Sequence, residues 1–222
     1  MLSEPAPPEL SFSVHDATAI EHAAVPTLAF ALRVAASGAA VRSIVLRADI
    51  RIALARRPHD VPTRERLIEL FGVPSQWRSA PRSLPWATAT VVVPAFEGET
   101  IVAVPVVCTY DFEVTASKYF HALEGGDVPL EFLFTGTLFY AGADDRLQTA
   151  RVPWDREAVF AMPVVVWKDL MRRYFADSVW LRLRKETFDR VWAYRARHAL
   201  PTWEDALDAL LRESEEPSTW TR

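Results

Sequence analysis

The chain has 222 residues and a mass of 25.0 kDa, 50% of them apolar and 24% charged, enough for one substantial core and incompatible with global disorder. Its formal net charge of -4 and pI near 5.8 leave no overall basic field to gather nucleic acid or anionic lipid. A single cysteine, Cys108, excludes an intramolecular disulfide and any cysteine-ligated zinc or iron–sulfur site within one chain, and suits a reducing compartment.

Residues 1–26 carry Pro5, Pro7, Pro8 and Pro26 without a sustained period and read as an N-terminal arm. The arm has no basic stretch followed by an apolar one, and no window reaches the roughly 18–20 apolar residues that span a bilayer, so a cytoplasmic protein is expected. Alternation at Leu28, Phe30, Leu32 and Val34 predicts a first strand. A second follows over Ile44, Leu46, Ala48, Ile50 and Ile52, with Arg47, Asp49 and Arg51 on its wet face. An excursion from Arg56 to about Pro85 contains a short helix, residues 63–71, that Thr63 would cap and Gly72 would end. Strands resume from Trp86 to Phe96 and again from Thr100.

The stretch Val104–Tyr140 places two β-favouring runs around Glu124-Gly125-Gly126-Asp127, and a long bent hairpin is favoured there over a helix at 115–123. Beyond Pro163, VVVWKDLMRRYF reads as a strand ending in a short helix and VWLRL as a strand. Two helices then follow, ETFDRVWAYRARHAL and WEDALDALLRE, the second capped by Thr202 with Asp205 three positions on. Short strands without regular strand–helix alternation argue against a parallel nucleotide-binding sheet. The expected fold is α+β: a mainly antiparallel β-sandwich or open barrel over residues 27–165, a C-terminal helical module over 166–213 and a mobile tail over 214–222.

No coherent catalytic set is visible, so no catalytic, cofactor or metal residue is assigned and no cofactor is expected. Three carboxylate pairs stand at i, i+2, namely Glu97/Glu99, Asp111/Glu113 and Asp155/Glu157, and solvation of a strand face is the favoured account of each. Asp111, Glu113, Lys118 and His121 form the one polar group worth testing for convergence into an enzyme pocket. The histidines are scattered without helical metal-pair spacing, Cys108 reads as a buried inert thiol, and neither a phosphate loop nor a serine nucleophile elbow is present.

The C-terminal strand–helix–turn–helix resembles the ribbon-helix-helix module, which in DNA-binding members lays a paired strand in the major groove. The resemblance implies base contacts from Arg182 and Arg184 and phosphate contacts from Lys185. Acidic Glu204, Asp205 and Asp208 on the second helix weigh against it, so nucleic acid is disfavoured as a partner. The run CTYDFEVTASKYFHALEGGDVPLEFLFTGTLFY, with LFGVPSQW upstream and VPWDREAVFAMPVVVWKDLMRRYF and WLRL downstream, resembles an uncharacterised bacterial family of unknown function. Some members of that family are encoded beside nickel–iron hydrogenase genes, which implies an accessory or assembly role without assigning any residue one. The order of strands followed by helices is also similar, as an analogy only, to an export chaperone family with peptide-binding grooves.

The expected function is therefore a non-catalytic cytoplasmic module that holds a protein partner, with Tyr119, Phe139, Trp154 and Trp167 as the apolar contact residues. A DNA-binding regulator and an enzyme of unknown reaction class are the alternatives. Membrane association is not expected, and homo-oligomerisation is left open.

Overall fold

Strict alternation of apolar side chains creates the two sheets of this protein. In the computed structural model, which describes residues 6–73, 77, 81–111, 114–142, 145–176, 178 and 181–215, the chain divides into two compact units, Met1–Trp180 and Leu181–Arg222. In the first, β1 (Glu9–Ala19), β2 (Thr27–Ser37) and β5 (Glu99–Val107) form an antiparallel sheet in the order β1-β2-β5. The second sheet has the order β4-β3-β6-β7, with β8 also on β6: β3 (Val41–Ile52), β4 (Leu84–Val93), β6 (Asp127–Ala141), β7 (Leu147–Arg151) and β8 (Glu157–Pro163). Each inner face is apolar because every second residue points inward; Leu28, Phe30, Leu32 and Val34 of β2 and Ile44, Leu46, Ile50 and Ile52 of β3 are all fully buried. The sheets meet through Phe12 stacked on Phe134 at 4.6 Å and Phe30 edge-on to Phe132 at 5.2 Å. Each such side chain contributes about 1.5–3 kcal/mol of burial. The result is an α+β protein with two antiparallel sheets that do not close into a barrel, followed by C-terminal helices.

Several expectations are corrected. Residues 9–19, expected within the arm, are a strand, because Leu10, Phe12 and Val14 alternate inward and a register shift between Val14 and Asp16 restores Ala17 to the core. Asp60, not Thr63, caps α1 (Val61–Arg66): its carboxylate accepts from the Thr63 N–H at 2.9 Å, and α2 (Ile68–Phe71) ends at Gly72 with φ 71°. The stretch 104–140 is not one hairpin, since β5 pairs with β2 while β6 pairs with β3 and the connection holds α3 (Thr115–Ala122). Ala116, Tyr119 and Phe120 fall on one helical face and are buried, which outweighs the period-two pattern entering the segment.

Val164–Phe175 is helical throughout as α4, with Val164, Trp167, Leu170 and Met171 at core-facing spacing. The unit boundary therefore places α4, expected at the head of the C-terminal module, in the β unit. Its Tyr174 hydroxyl donates to the Ala23 carbonyl at 2.5 Å, tying it to the turn between β1 and β2.

In the second unit, α5 (Lys185–Arg197) and α6 (Trp203–Glu215) form a helical hairpin. The Thr202 and Asp205 cap appears as anticipated: Asp205 N–H donates to Thr202 Oγ1 at 3.0 Å and Thr202 N–H donates to the Asp205 carboxylate at 3.1 Å. Residues 181–184 carry no strand, which corrects that expectation; 179 and 180 lie outside the described residues. Among the described residues no helix is long and apolar enough to cross a membrane.

Candidate functional site

Three of the four residues Asp111, Glu113, Lys118 and His121 are described, Asp111 in the segment after β5 and Lys118 and His121 on α3. Glu113 lies outside the described residues, and Asp111 is exposed ahead of α3, its N–H donating to Thr109 Oγ1 at 3.1 Å. Lys118 is ion-paired with Glu69 of α2. His121 turns to Tyr110, with Nδ1 3.4 Å from the phenolic oxygen. His121 lines a cavity whose described lining includes neither Asp111 nor Lys118.

That cavity, of about 230 Å³, is a groove between α3, α4 and the segment following β5. Its apolar walls come from Tyr110, Trp167, Met171 and Phe175. Tyr110 stacks on Phe175 with centroids 5.4 Å apart and lies 5.8 Å from Trp167, whose other face stacks on Phe120 at 5.1 Å. Its polar members are His121, Ser178 and, one helical turn apart on α4, Lys168 and Arg172. Arg172 is ion-paired with Asp169. Desolvation holds the Lys168 ammonium below its ordinary range, reinforced by the Arg66 guanidinium and opposed by Glu124. Desolvation and then the Lys168 charge hold His121 down, so its imidazole is neutral near pH 7.

A second cavity, also about 230 Å³, lies beside Leu54, His59, Phe71, Trp77 and Arg82. His59 Nε2 is 2.9 Å from the Tyr119 hydroxyl, and the Arg64 guanidinium lies over the Trp77 ring at 5.7 Å. Burial, then Arg57 and Arg64, hold His59 down, while burial pushes Tyr119 up to about 12. This is a polar bridge inside an aromatic wall, with no acid–base partner set among its described lining residues. More widely, among the described residues no group of three or more His, Cys, Asp or Glu side chains is placed to hold a metal ion.

The expected contact residues separate. Tyr119 and Trp167 are core side chains, fully buried and 2% exposed, so their assignment to a partner surface is corrected. Phe139 is half-buried on β6 beside Thr149 of β7, and Trp154 stands 91% exposed in the β7–β8 connection. The aromatic surface lies instead in the second unit. Phe188, Trp192 and Trp203 cluster with centroids 5.2–5.9 Å apart, and the Arg195 guanidinium lies over Trp203 at 4.8 Å. Within 181–214, Ala206 is the one buried residue, whereas Trp192 is 55% and Leu211 59% exposed. Arg182, Arg184 and Lys185 are exposed, with Lys185 paired to Asp189 at 2.5 Å; the strand that major-groove contacts would require is absent at 181–184.

Sequence reasoning missed Lys168, Arg172 and His59. The first two were legible only if 164–175 was taken as one helix, which places them together above Trp167 and Met171.

The characteristic pattern of a family of unknown function, DUF6084, spans residues 7–219, and the chain belongs to that family. A comparison with curated proteins gives no match. Among solved structures, the β-glucosidase of Kluyveromyces marxianus is similar over 70% of this chain and 15% of its own, at 11% identity and a TM-score of 0.27. The β-glucosidase 3B of Thermotoga neapolitana is similar over 69% of this chain and 17% of its own, at 12% identity and a TM-score of 0.26. The chain thus spans about a sixth of either enzyme, and likenesses this slight carry no argument about activity.

Proposed function

We propose that the chain is a non-catalytic cytoplasmic module that binds a protein partner through the α5–α6 hairpin and serves in assembly rather than turnover. The supporting observation is the apolar surface of that hairpin. Phe188 and Trp192 on α5, and Leu207 and Leu211 on α6, stand four residues apart in pairs and are all exposed. Two helices with a single buried residue between them bury too little for an independent core, and exposed aromatic stripes of this kind favour an interface. Helix-in-groove recognition reads such i, i+4 anchors, and Trp is the residue type that most often dominates interface energy.

The gene neighbourhood of the resembled family directs the search for that partner to nickel–iron hydrogenase subunits and their maturation factors. The test is affinity capture of the full-length tagged chain from native lysate beside the L207S/L211S double variant, with mass-spectrometric identification. A hydrogenase subunit or maturation factor captured by the wild type and lost with the variant is the expected result. Equal capture by both proteins, or none by either, refutes docking through α5–α6.

A further inference from the structure

We propose that the groove between α3 and α4 binds a small organic carboxylate with an aromatic body, the ring lying among Tyr110, Trp167 and Phe175 and the carboxylate meeting Lys168 and Arg172. This site is on the β unit and stands independently of the reading of α5–α6.

Lys168 is half-buried, and among the described residues no carboxylate lies within ion-pairing distance of its ammonium. A partly desolvated cation without a counter-ion is unfavourable, and the depressed proton affinity of Lys168 is the sign of it here. The Arg66 and Arg172 charges deepen the deficit, and Glu124, which opposes them, has its carboxylate engaged by Arg66 at 2.9 Å. Arg172 lines the groove and is ion-paired with Asp169, and its guanidinium retains further donors. An anion entering the groove meets two cations one turn apart and a neutral imidazole, and the described lining contains no acidic side chain to repel it.

The walls select the rest of the ligand. Trp167 and Met171 are each 2% exposed and form a rigid apolar floor, while Tyr110 and Phe175 are already stacked on each other. A planar ring can extend that stack at little conformational cost. The 230 Å³ volume equals about seven or eight water-sized groups, which suits one six-membered ring with a short acid arm.

The test uses phenylacetate, its neutral amide phenylacetamide, and the cation benzylamine, each titrated into the full chain by ligand-observed NMR. Phenylacetate is expected to bind, with affinity falling as salt rises, while the amide binds at least about tenfold more weakly and benzylamine does not bind. K168M keeps the aliphatic stem and removes the charge, and it should weaken phenylacetate by about tenfold. Because that change relieves an unpaired cation, K168M should melt at or above the wild-type temperature, which separates lost binding from lost folding. No saturable binding of phenylacetate up to millimolar concentration overturns the proposal. Equal affinity for acid and amide, or unchanged affinity in K168M, overturns it as well.

Discussion

Gly136 marks the point where the longest strand changes partners. Leu133 is the last β6 residue paired with β8 and Thr137 the first paired with β7, while Gly136 itself sits opposite Leu46 of β3. A Cβ at this position would lie 2.2 Å from the Val45 carbonyl oxygen and 3.2 Å from the Leu46 Cα, both backbone atoms of a central strand that cannot swing aside. Gly136→Ala therefore forces β3 and β6 apart by roughly 1 Å before ordinary contact distances return. Overpacking of this kind costs about 1–3 kcal/mol, and two strained ladder hydrogen bonds add about 1 kcal/mol each, for a loss of about 3–5 kcal/mol. In urea unfolding followed by circular dichroism, that loss lowers the midpoint by more than about 1 M at the slope usual for such a domain. Gly125→Ala is the control, since its Cβ meets nothing within 4 Å; it should stay within about 0.5 kcal/mol of wild type. A Gly136→Ala protein within about 1 kcal/mol of wild type would refute the close approach of the two strands.

Burial pushes the Cys108 thiol up to about 12, so an aromatic disulfide reagent at pH 8 should react about 100-fold more slowly with native than with urea-unfolded protein; similar rates would mean an accessible thiol. His59 has a folded pKa below its ordinary 6.5, so the unfolded chain takes the proton first. Its contribution is complete above about pH 6.5 and is lost as pH falls towards the folded pKa. Melting temperatures at pH 7.5 and 5.5 should therefore differ more in wild type than in H59Q, and equal differences would remove His59 from the account. The α5 terminus is a Schellman turn in which Ala199, with φ 50°, holds the place glycine usually fills, Leu200 N–H donating to the Arg195 carbonyl at 3.1 Å and Ala199 N–H to that of Ala196 at 3.3 Å. Ala199→Gly should stabilise the hairpin by about 1 kcal/mol and Thr202→Ala should destabilise it by about 1 kcal/mol, as read from helical signal on heating; the opposite order would contradict both caps.

How much of this fold was legible depends on how far apart the deciding contacts lie in sequence. β2 and β3 were plain because a half-buried strand writes its own period: Leu28 to Val34 and Ile44 to Ile52 need no knowledge of their neighbours. The Thr202 cap was equally local, two side chains three residues apart. β1 was missed although Leu10, Phe12 and Val14 alternate, because nearby prolines suggested an arm and the register shift at Val14/Asp16 broke the period before it could accumulate. α3 was missed because eight residues carry too little intrinsic preference to declare themselves; burial of Tyr119 and Phe120 settles it as a helix.

The groove was illegible for a further reason. Tyr110, His121, Lys168 and Arg172 come from three separate segments, and what joins them is not a motif but a shared floor. Trp167 appeared in the sequence as an aromatic available to a partner, when its position inside α4 commits it to the core and leaves Lys168 as the residue carried to the rim. One misassigned element thus moved two residues between roles. Had Val164–Phe175 been a strand, Trp167 and Lys168 would have pointed to opposite faces, and Arg172, on the face of Lys168, would have stood about 13 Å along the strand from it. In the helix, four residues make one turn, and the cations at 168 and 172 stack along the same edge above Met171. The cationic lining of this groove is therefore decided by helical phase on α4, which burial of Trp167, Leu170 and Met171 fixes and which no polar residue of the set could have signalled alone.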